Sequence, residues 1–409
     1  MTGTHDFDVV IVGGGAVGAT LALQLERLDY RVAIIEMHTP SFASSNPERV
    51  IALNYGSRCH LDRLGLWQDV AAGGTGKIRH IMVSEAGNRG HTDLDVSELD
   101  VSETAQLSEF GYVVEMGSLL APMYRALEVS TVRIYSAAVV SRVVNGDGGV
   151  AIHLRQGGVD KQIHAALLVG ADGTHSHIRR MAGIDVFGWD YNRFGVVASV
   201  GCACAHAEIA YECFRNAGPL AFLPLADGRF SIVWAVTPAE ATQLLGMADD
   251  GFMSALRRAA GREVIRQTGE ITDVSKRTLF PLELTIAKSY TSGRIALVGN
   301  AAHTVHPVAG QGMNLGLRDV EVLVAMLDSD LARQDPGRRI VLQGYAEKRR
   351  VDVLAVAGFT ESMVHVFGSA VPGMRRLRGR GLDTLASMPR LKDMLLRQAS
   401  GLDQMGANK

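Results

Sequence analysis

Three glycines near the N-terminus have the spacing of a dinucleotide-binding turn. Gly13, Gly15 and Gly18 form G-x-G-x-x-G directly after the apolar run DVVIV and directly before an apolar pattern at helical spacing. In such a turn one glycine permits the tight bend, one lets the backbone approach a pyrophosphate, and one lets helix and strand pack closely. Glu36 ends the next apolar run, where a carboxylate can accept the ribose hydroxyls of an adenosine. The pattern predicts a bound dinucleotide of unspecified kind, and the alternative is a turn that only connects two elements.

This glycine pattern occurs once after a predicted strand. GGTG at residues 73–76 lacks both the spacing and the preceding strand. The sequence therefore predicts a Rossmann site for one dinucleotide, and a redox reaction would need a second nucleotide to dock transiently elsewhere.

The stretch GNAAHTVHPVAGQGMNLGLRD, residues 299–319, also holds residues that can do chemistry. His303 and His306 are three apart, which is a spacing that metal-binding histidines use on helices. Pro307 follows at once, and we expect no Cys or carboxylate of this segment to join the histidines, so no metal is predicted. Either imidazole could instead accept a proton, because histidine titrates near neutral pH. Hydrogen bonding within the loop is an equal alternative, and no catalytic base is assigned.

The elements that must position these residues follow from the apolar patterns. The opening segment predicts strand, helix and strand, and Ser57 is predicted to cap a helix through GSRCHLDRLGLW. An antiparallel sheet with tight turns such as ADGR is predicted between about residues 187 and 284. The strand RIALVG leads into residues 299–319, and helices follow through LGLRDVEVLVAMLDSDLARQ and QGYAEKRRVDVLAVAGFTESMVHVFG.

The composition is that of an ordinary globular protein large enough for two domains. The chain has 409 residues, 47% of them hydrophobic and 21% charged, and its formal net charge of -2 gives no general attraction to nucleic acid. Its four cysteines show neither the paired spacing of a zinc site nor the density of a disulfide scaffold. With no signal-peptide pattern and no run of about 18 apolar residues, we expect a cytoplasmic protein.

Two further motifs accompany the glycine turn: GADGTHSHIRR and LVGNAAHTVHPVAGQGMNLGLRDV. Together the three resemble, in order, the signatures of flavin-dependent aromatic hydroxylases of the p-hydroxybenzoate hydroxylase type, from residue 7 to about residue 365. ERVIALNYGSRCHLDRLGLW, GYVVEMGSLL and RNAGPLAFLPLADGRFSIVWA resemble the ubiquinone-biosynthesis branch, and within it the 2-polyprenyl-6-methoxyphenol hydroxylases.

The resemblance implies an α/β fold, in which a glutathione-reductase-like Rossmann FAD domain carries an inserted, mainly antiparallel β-sheet substrate domain. The discontinuous FAD-binding domain is expected in residues 1–72, 101–185 and 285–371, and the substrate domain in residues 73–100 and 186–284. A basic helical tail is expected in residues 372–409.

The implied enzyme is an oxidoreductase, an FAD-dependent NAD(P)H aromatic monooxygenase. NADPH or NADH would reduce bound FAD, O2 would add at flavin C4a, and the resulting hydroperoxide would pass an OH to a ring carbon of a phenol. Because the cofactor carries the difficult step, the protein need supply neither a metal nor a nucleophile, but it must exclude water. The implied substrate is a polyprenylated methoxyphenol of ubiquinone biosynthesis, and a complex of ubiquinone-synthesis proteins is an implied partner.

The resemblance also implies cofactor contacts for individual residues. Arg49 would lie near the FAD pyrophosphate or flavin, with a surface arginine beside Glu48 as the alternative. Asp172 would support the cofactor and nicotinamide docking, although Asp-Gly is also an ordinary turn pair. Asn300 would meet the ribityl chain. Most of the family has Asp there, and an amide oxygen can accept the same hydrogen bond without the charge that strengthens it.

The remaining implied contacts surround the flavin ring. Pro307 and the backbone after it would lie beside the ring, and Gly310 and Gly312 would admit close approach. A helix starting near Met313 and continuing through Asn314 would direct its N-terminus at flavin N1 and the C2 carbonyl. Such a terminus stabilises a nearby anion by about 0.3 to 1 kcal/mol, which favours the reduced, anionic flavin.

The C-terminal segment is basic. From residue 372 to residue 409 there are eight Lys or Arg and three Asp, a net charge of +5. Leu391, Met394, Leu395 and Leu396 lie among these charges, so the segment could contact the acidic inner face of a membrane or a partner protein. A solvated helix packed on its own domain is the equal alternative.

Two other functions remain open at this point. One is a hydroxylase of a small soluble phenol or polyketide aromatic. The other is a non-catalytic escort of prenyl lipids with a related fold, which would bind no flavin and would be colourless.

Overall fold

In a computed structural model of the chain, the structure describes residues 5–39, 50–85, 91–98, 107–215 and 217–368, with 393, 396, 397 and 399–402. These residues contain twenty strands: β1 Phe7–Val12, β2 Val32–Ile35, β3 Val50–Asn54, β4 Thr75–Ile78, β5 His80–Glu85, β6 His91–Asp95, β7 Gly111–Glu115, β8 Arg133–Tyr135, β9 Ala138–Gly146, β10 Gly149–Gln156, β11 Val159–Gly170, β12 Val186–Cys202, β13 Ile209–Phe214, β14 Leu220–Pro224, β15 Phe230–Val236, β16 Ile271–Val274, β17 Thr278–Ala287, β18 Thr291–Ser292, β19 Ile295–Leu297 and β20 His303–Thr304.

Ten α-helices lie within the same residues: α1 Ala16–Arg27, α2 Tyr55–Arg63, α3 Trp67–Ala72, α4 Met116–Glu128, α5 His177–Met181, α6 Pro238–Gly246, α7 Asp249–Thr268, α8 Gln311–Leu327, α9 Asp330–Gln334 and α10 Arg339–Gly368. Short 3-10 turns occur at Val96–Glu98, Gly299–Ala301 and Val308–Gly310.

The first sheet has a parallel core. Its strand order is β18-β19-β11-β1-β2-β8, with β10 and β9 added beside β11 as an antiparallel extension. Strands β19, β11, β1, β2 and β8 run parallel to one another. The β1 sequence FDVVIV and the β2 sequence VAII are almost continuously apolar, as expected of strands whose two faces are both covered. The predicted α/β fold with an N-terminal Rossmann unit is confirmed.

The second sheet is mainly antiparallel and has the order β20-β17-β12-β15-β14-β13-β5-β6, with β16 beside β12. Helices α6 and α7 contribute Leu244, Phe252 and Leu256 to the core that covers one of its faces. The predicted ADGR turn joins β14 to β15, and Gly228 adopts a φ of +88° there. The predicted domain boundaries stay a prediction. Strand pairing crosses them twice, because β4 pairs with β7, and Val186 and Phe187 of β12 pair with Ala287 and Ile286 of β17.

A third, three-stranded sheet has the order β3-β7-β4 and leads directly into α2. The predicted cap of this helix was wrong by three residues. Asn54, not Ser57, is the N-cap, and its side chain accepts a hydrogen bond from the Ser57 backbone N–H at 2.8 Å. Asn is as strong an N-cap as Ser, and Asn54 is the last residue of β3, directly before the first residue of α2.

The predicted basic tail, residues 372–409, falls largely outside the described residues. Within its described part, Leu396 is buried and belongs to an apolar cluster that includes Ile78, Leu94 and Phe110. No described helix combines the length and apolar character that crossing a membrane requires.

Candidate active site

Four of the predicted groups of site residues follow strands of the parallel core. The glycine turn follows β1, Glu36 follows β2, Asp172 follows β11, and Asn300 lies in the 3-10 turn after β19. Because the carboxyl ends of parallel strands lie at the same edge of a sheet, these four groups are brought together. This edge is where open α/β sheets bind nucleotides.

The three fingerprint glycines have different surroundings. Gly13 has a φ of +108°, and a Cβ there would lie 2.3 Å from the Ala171 oxygen. A Cβ on Gly18 would lie 2.0 Å from the Gly13 oxygen, so this glycine permits close packing of helix on turn. Gly15 is the N-cap of α1, has open space where a Cβ would be, and makes no side-chain cap. The free N-terminus and open space at Gly15 fit a pyrophosphate of FAD.

Glu36 lies against this turn. Its Oε2 accepts a hydrogen bond from the Gly14 N–H at 2.6 Å, and its Oε1 accepts one from the His38 N–H at 3.0 Å. The Tyr124 hydroxyl donates to the Gly14 carbonyl at 2.8 Å, on the other side of the turn. A carboxylate has about four acceptor positions. Glu36 therefore retains acceptor capacity for ribose hydroxyls, and this role stays a prediction.

Asp172 caps a helix in addition to lining the cavity described below. One of its oxygens accepts a hydrogen bond from the Ser176 hydroxyl at 2.5 Å, and the other accepts from the backbone N–H groups of His177 and Ile178 at 2.7 and 3.1 Å. These contacts alone account for an aspartate at this position, so its presence does not require a bound ligand. Its predicted role in nicotinamide docking stays a prediction.

Asn300 lies in a turn that is tied to the Asp172 loop. Arg179 makes the tie, because its guanidinium donates to the carbonyls of Ala301 and Thr174, each at 2.8 Å. The Asn300 Nδ2 donates to the Thr174 hydroxyl at 3.4 Å, and its side chain is exposed at the cavity wall. Its amide oxygen makes no hydrogen bond to a described residue and is available to a ribityl hydroxyl.

The segment predicted to lie beside the flavin ring is residues 307–310, the flavin loop, and it directly precedes α8. Pro307, Gly310, Gly312 and Met313 all line the cavity. Gly310 has a φ of +62°, and a Cβ there would lie 2.8 Å from the Ala52 Cβ. This left-handed residue turns the chain, so α8 begins at Gln311 and not near Met313 as predicted. The first turn of α8 has no side-chain cap, which leaves its N–H groups to a ligand.

The side chain of Asn314 is fully used within the protein. Its oxygen accepts from the Asn54 N–H and the Ser57 hydroxyl at 2.9 and 2.8 Å, and its nitrogen donates to the carbonyls of Ala52 and Gly310 at 2.9 and 3.0 Å. These four bonds exhaust the amide, so Asn314 fixes β3 to the start of α8 and cannot bind the flavin through its side chain.

Arg49, the arginine predicted to contact the cofactor, lies outside the described residues.

A buried network that the sequence did not predict holds the start of this segment. Asp319 of α8 accepts hydrogen bonds from the Gly299 N–H at 2.7 Å, His303 Nε2 at 2.6 Å and Arg349 Nε at 2.6 Å. We expected no carboxylate to join the histidines, and this was wrong. The sequence contained one signal of this burial: Asp319 lies four residues after Leu315, which places it on the apolar face of the predicted helix.

His306 is buried at the cavity wall. Burial lowers the pKa of His306 to about 4, so the imidazole is neutral at neutral pH. Its Nδ1 accepts a hydrogen bond from the Val308 N–H at 3.3 Å, which puts the ring proton on Nε2. The ring also meets Tyr191 edge-on, with centroids 5.0 Å apart. A neutral imidazole in this tautomer donates from Nε2 and is not placed to take a phenol proton.

A cavity of about 1410 Å³ opens between the flavin loop and the second sheet. Its walls are mainly apolar and come from β3, β5, β6, β12 to β15, β17, the α8 N-terminus and the end of α10. Leu279, Phe280 and Val366 line it and are 38, 37 and 48% exposed, so part of its exposed rim is apolar, while His175 and Asn300 are exposed polar residues of the same lining. Glu212 of β13 also lines it, and the sequence predicted no role for this residue. Among the described residues no three His, Cys, Asp or Glu side chains form a potential metal site.

The parallel core, its glycine turn and the adjoining cavity define a Rossmann-type nucleotide-binding enzyme. A family model described as FAD binding domain matches residues 6–360, and the chain belongs to this family. The sequence-based recognition and the prediction of bound FAD are confirmed.

Two relatives extend over nearly the whole chain. The 3-demethoxyubiquinol 3-hydroxylase of Escherichia coli K12 is 33% identical over 97% of this chain and 98% of its own. The ubiquinone hydroxylase UbiL of Rhodospirillum rubrum is 33% identical over 99% of this chain and 92% of its own. Among solved structures, p-nitrophenol 4-monooxygenase PnpA from Pseudomonas putida DLL-E4 shares the fold with a TM-score of 0.77, at 20% identity over 96% of each chain. The protein is an FAD-dependent monooxygenase.

Proposed function

We propose that this protein hydroxylates the ring of a polyprenylated methoxyphenol in ubiquinone biosynthesis, using FAD, NADPH and O2. The observation that carries the proposal is the large, mainly apolar cavity beside the flavin loop, whose exposed rim includes Leu279, Phe280 and Val366. A phenol ring with a long hydrocarbon substituent needs an apolar pocket and an apolar exit for the chain. The names of the two relatives, a demethoxyubiquinol hydroxylase and a ubiquinone hydroxylase, support the pathway.

The residues of the chain have definite parts in this proposal. The N-terminus of α1 binds the FAD pyrophosphate, Glu36 accepts from the adenosine ribose, and Asn300 accepts from the ribityl chain. The N–H groups at the start of α8 stabilise negative charge at the pyrimidine end of the flavin. Bound FAD supplies activated oxygen derived from O2 after NADPH reduces it.

The rest of the cavity serves to hold the phenol ring and to keep water out. Apolar walls from β13 to β15 leave few groups that could hold solvent, and this protects a reactive oxygen species from water. His306 offers a neutral N–H donor at the wall. The absence of a second glycine fingerprint supports transient docking of NADPH, with its nicotinamide near Asp172.

A prenyl-length series tests the proposal. The FAD-loaded protein would receive NADPH, O2 and methoxyphenols that carry no prenyl, geranyl or farnesyl substituent, with mass spectrometry of the product. We expect one added oxygen per NADPH oxidised, and kcat/KM that rises with prenyl length because each added isoprene unit buries apolar surface. A preference for the unprenylated phenol would instead indicate a small-phenol hydroxylase. Prenyl-phenol binding without a flavin spectrum or NADPH oxidation would indicate a lipid escort.

A gene disruption tests the pathway independently of the assay. We expect the ubiquinone level to fall and a prenylated phenol lacking one ring oxygen to accumulate. A normal quinone level without such a precursor would refute the pathway.

The basic tail suits a substrate that partitions into membranes. Its net charge of +5 supports contact with an anionic membrane surface, or with other ubiquinone-synthesis proteins, on the cytoplasmic side. Removal of residues 372–409 is expected to reduce sedimentation with anionic vesicles and to leave sedimentation with neutral vesicles unchanged. Equal partition of the full and shortened chains would contradict membrane contact.

A further inference from the structure

Glu212 is a carboxylic acid in an otherwise apolar part of the cavity wall. It lies in β13, where alternate residues Ala210, Glu212 and Phe214 line the cavity. Its neighbours across the sheet are Val83 on β5 and Ala221 on β14, and both also line the cavity. The carboxyl group is therefore flanked by apolar side chains on both sides.

Glu212 makes no hydrogen bond or ion pair with any residue that the structure describes. Other acidic residues of the same cavity have partners: Asp172 caps α5, and Glu283 lies 4.0 Å from His175. A carboxyl group held among apolar side chains without a partner is costly to keep charged, and groups perturbed in this way are concentrated at functional sites. If Glu212 only filled space, substituting Gln or Leu for it would stabilise the fold.

The position of Glu212 brings it close to the flavin loop. Phe214, two residues along and on the same face of β13, packs with Val308 of that loop and with Phe367 of α10. The rings of Phe214 and Phe367 are stacked, with centroids 4.0 Å apart. Two residues along a strand span about 7 Å, so the Cα of Glu212 lies about 7 Å from the Cα of Phe214, the residue that packs against the flavin loop.

Burial raises the pKa of Glu212 to about 7. The other titratable residues that line the cavity are Asp172, His175, Tyr211, Glu283 and His306. Burial raises the pKa of Tyr211 to about 12, and its hydroxyl bonds Gln267 of α7, away from the cavity. On the elements packed against β13, Lys77 of β4 pairs with Glu109, His80 of β5 lies against Asp95, and Glu263 of α7 pairs with Arg266. None of those six residues lines the cavity.

We propose that Glu212 is the catalytic base that binds the phenol hydroxyl of the substrate and takes its proton. This rests on the proposed hydroxylation of a phenol. The O–H bond breaks, the proton goes to a carboxylate oxygen of Glu212, and the electron pair stays on the phenol oxygen and delocalises into the ring, which becomes nucleophilic at carbon. The ring electron pair would form the new C–O bond to the activated oxygen that bound FAD supplies, and the O–O bond of that oxygen donor would break, its other oxygen leaving as water once protonated. The ring carbon then loses its own hydrogen as a proton to water. The ring oxygen then takes the first proton back from Glu212, and the carboxylate is restored.

The chemistry favours this residue over His306. A phenol has a pKa of about 10, so it is protonated at neutral pH, and a base with a pKa near 7 is suited to share its proton. His306 is neutral, carries its proton on Nε2 and loses basicity through burial. In this proposal Glu212 accepts the proton of the phenol hydroxyl, and His306 donates from its Nε2–H at the cavity wall.

Turnover experiments test the proposal in the FAD-loaded enzyme with 2-farnesyl-6-methoxyphenol as the probe. The wild-type kcat is expected to rise with pH through about 7, as Glu212 ionises. Glu212→Gln should lower kcat about 100-fold or more and remove that rise, since general base catalysis contributes about 10²- to 10⁴-fold. Glu212→Asp should keep the pH dependence at reduced kcat. Glu208→Gln, just before the same strand and paired with Arg79 at the surface, is the matched control and should behave as wild type.

A binding measurement separates this proposal from the proposed function. A fluorinated phenol bound to the oxidised holoenzyme is observed by fluorine NMR as pH is varied through 7. Its resonance should titrate in wild type and in Glu208→Gln, and should not titrate in Glu212→Gln. If the wild type binds the phenol with this titration but hydroxylates no phenol, the proposed function fails and the Glu212 contact stands. Identical resonances or identical pH profiles in wild type and Glu212→Gln, with normal flavin spectra, overturn the role of Glu212.

Discussion

His303 and Asp319 form a pair that is fully buried between the flavin loop and helix α8. Nε2 of the imidazole lies 2.6 Å from Oδ2 of the carboxylate, and neither side chain has exposed surface. Arg349 of α10 reaches the second carboxylate oxygen, also at 2.6 Å. Burial raises the pKa of Asp319, but His303, Arg349 and the Gly299 N–H outweigh this effect and hold the pKa below its ordinary value. The carboxylate therefore stays charged and joins three segments around the cofactor site.

Replacement of Asp319 by Asn should be strongly destabilising. It leaves Arg349 buried with one carboxylate partner fewer, and breaking a buried ion pair costs about 3 to 5 kcal/mol. The free energy of unfolding by urea measures this loss. Asp328→Asn is the matched control, because Asp328 ends the same helix and pairs with Arg333 at the surface, where such pairs contribute less than about 1 kcal/mol. Equal effects of the two substitutions would mean that the buried network does not stabilise the protein.

The parts of the fold that were predicted from sequence are those that depend on neighbours in the chain. The β1–α1–β2 unit follows from an apolar run, a glycine turn and a helical period, all within about 30 residues. The fingerprint glycines, Glu36, Asp172 and Asn300 then share one edge because parallel strands put their carboxyl ends together. Strand pairing across the predicted domain boundaries, as between β4 and β7, depends on long-range packing that no local pattern encodes.

The residues that were missed act through partners far away in the chain. Asp319 meets Arg349, 30 residues on, and Asn314 meets Asn54, 260 residues away. Asn314 was predicted as a cofactor contact from its place in the motif, whereas its side-chain amide bonds to β3, to Ser57 of α2 and to the Gly310 carbonyl. Glu212 was missed because one acidic residue in a short strand is compatible with an exposed position, and only the assembled cavity identifies its surroundings.

Gly15 should tolerate alanine in the apoprotein but not in the FAD complex. Its φ of -65° suits any residue and a Cβ there meets no protein atom, so the apoprotein should change in stability by about 1 kcal/mol or less. The same Cβ occupies the space where a pyrophosphate approaches. We expect the Kd of FAD, from quenching of flavin fluorescence, to rise about 10-fold or more, which is about 1.4 kcal/mol.

The control for this substitution is Gly358→Ala, at an exposed and equally open position of α10. It should leave the Kd of FAD unchanged and stabilise the helix by up to about 1 kcal/mol. Unchanged FAD affinity in Gly15→Ala would show that the pyrophosphate does not bind at the α1 N-terminus.

Asn300→Asp should retain or strengthen FAD binding. The amide oxygen is available at the cavity wall, and a carboxylate there can accept the same ribityl hydrogen bond with a charge. Charge-assisted hydrogen bonds are stronger by about 0.5 to 1.5 kcal/mol, so the Kd of FAD should fall about 2- to 10-fold. A folded Asn300→Asp protein that purifies without colour and recovers no flavin spectrum with added FAD would show that Asn300 does not meet the ribityl chain.

His306 makes stability depend on pH in a defined window. Its pKa is lowered by burial from the ordinary value of 6.5 to about 4, so between these values the unfolded chain takes up a proton that the folded chain does not. The stability that His306 contributes is therefore fully present above about pH 6.5 and is lost progressively as pH falls toward 4. The slope reaches at most about 1.4 kcal/mol per pH unit.

His306→Asn removes this titration while it keeps an acceptor for the Val308 N–H. The free energy of unfolding by urea, measured at several pH values from 7 down to about 4.5, should then fall less steeply in the variant than in wild type. The two curves should converge toward acidic pH, because there the wild type has lost the contribution that the variant never had. Parallel curves over the whole window would mean that the pKa of His306 is the same in the folded and the unfolded chain, so that burial does not disfavour its charged form.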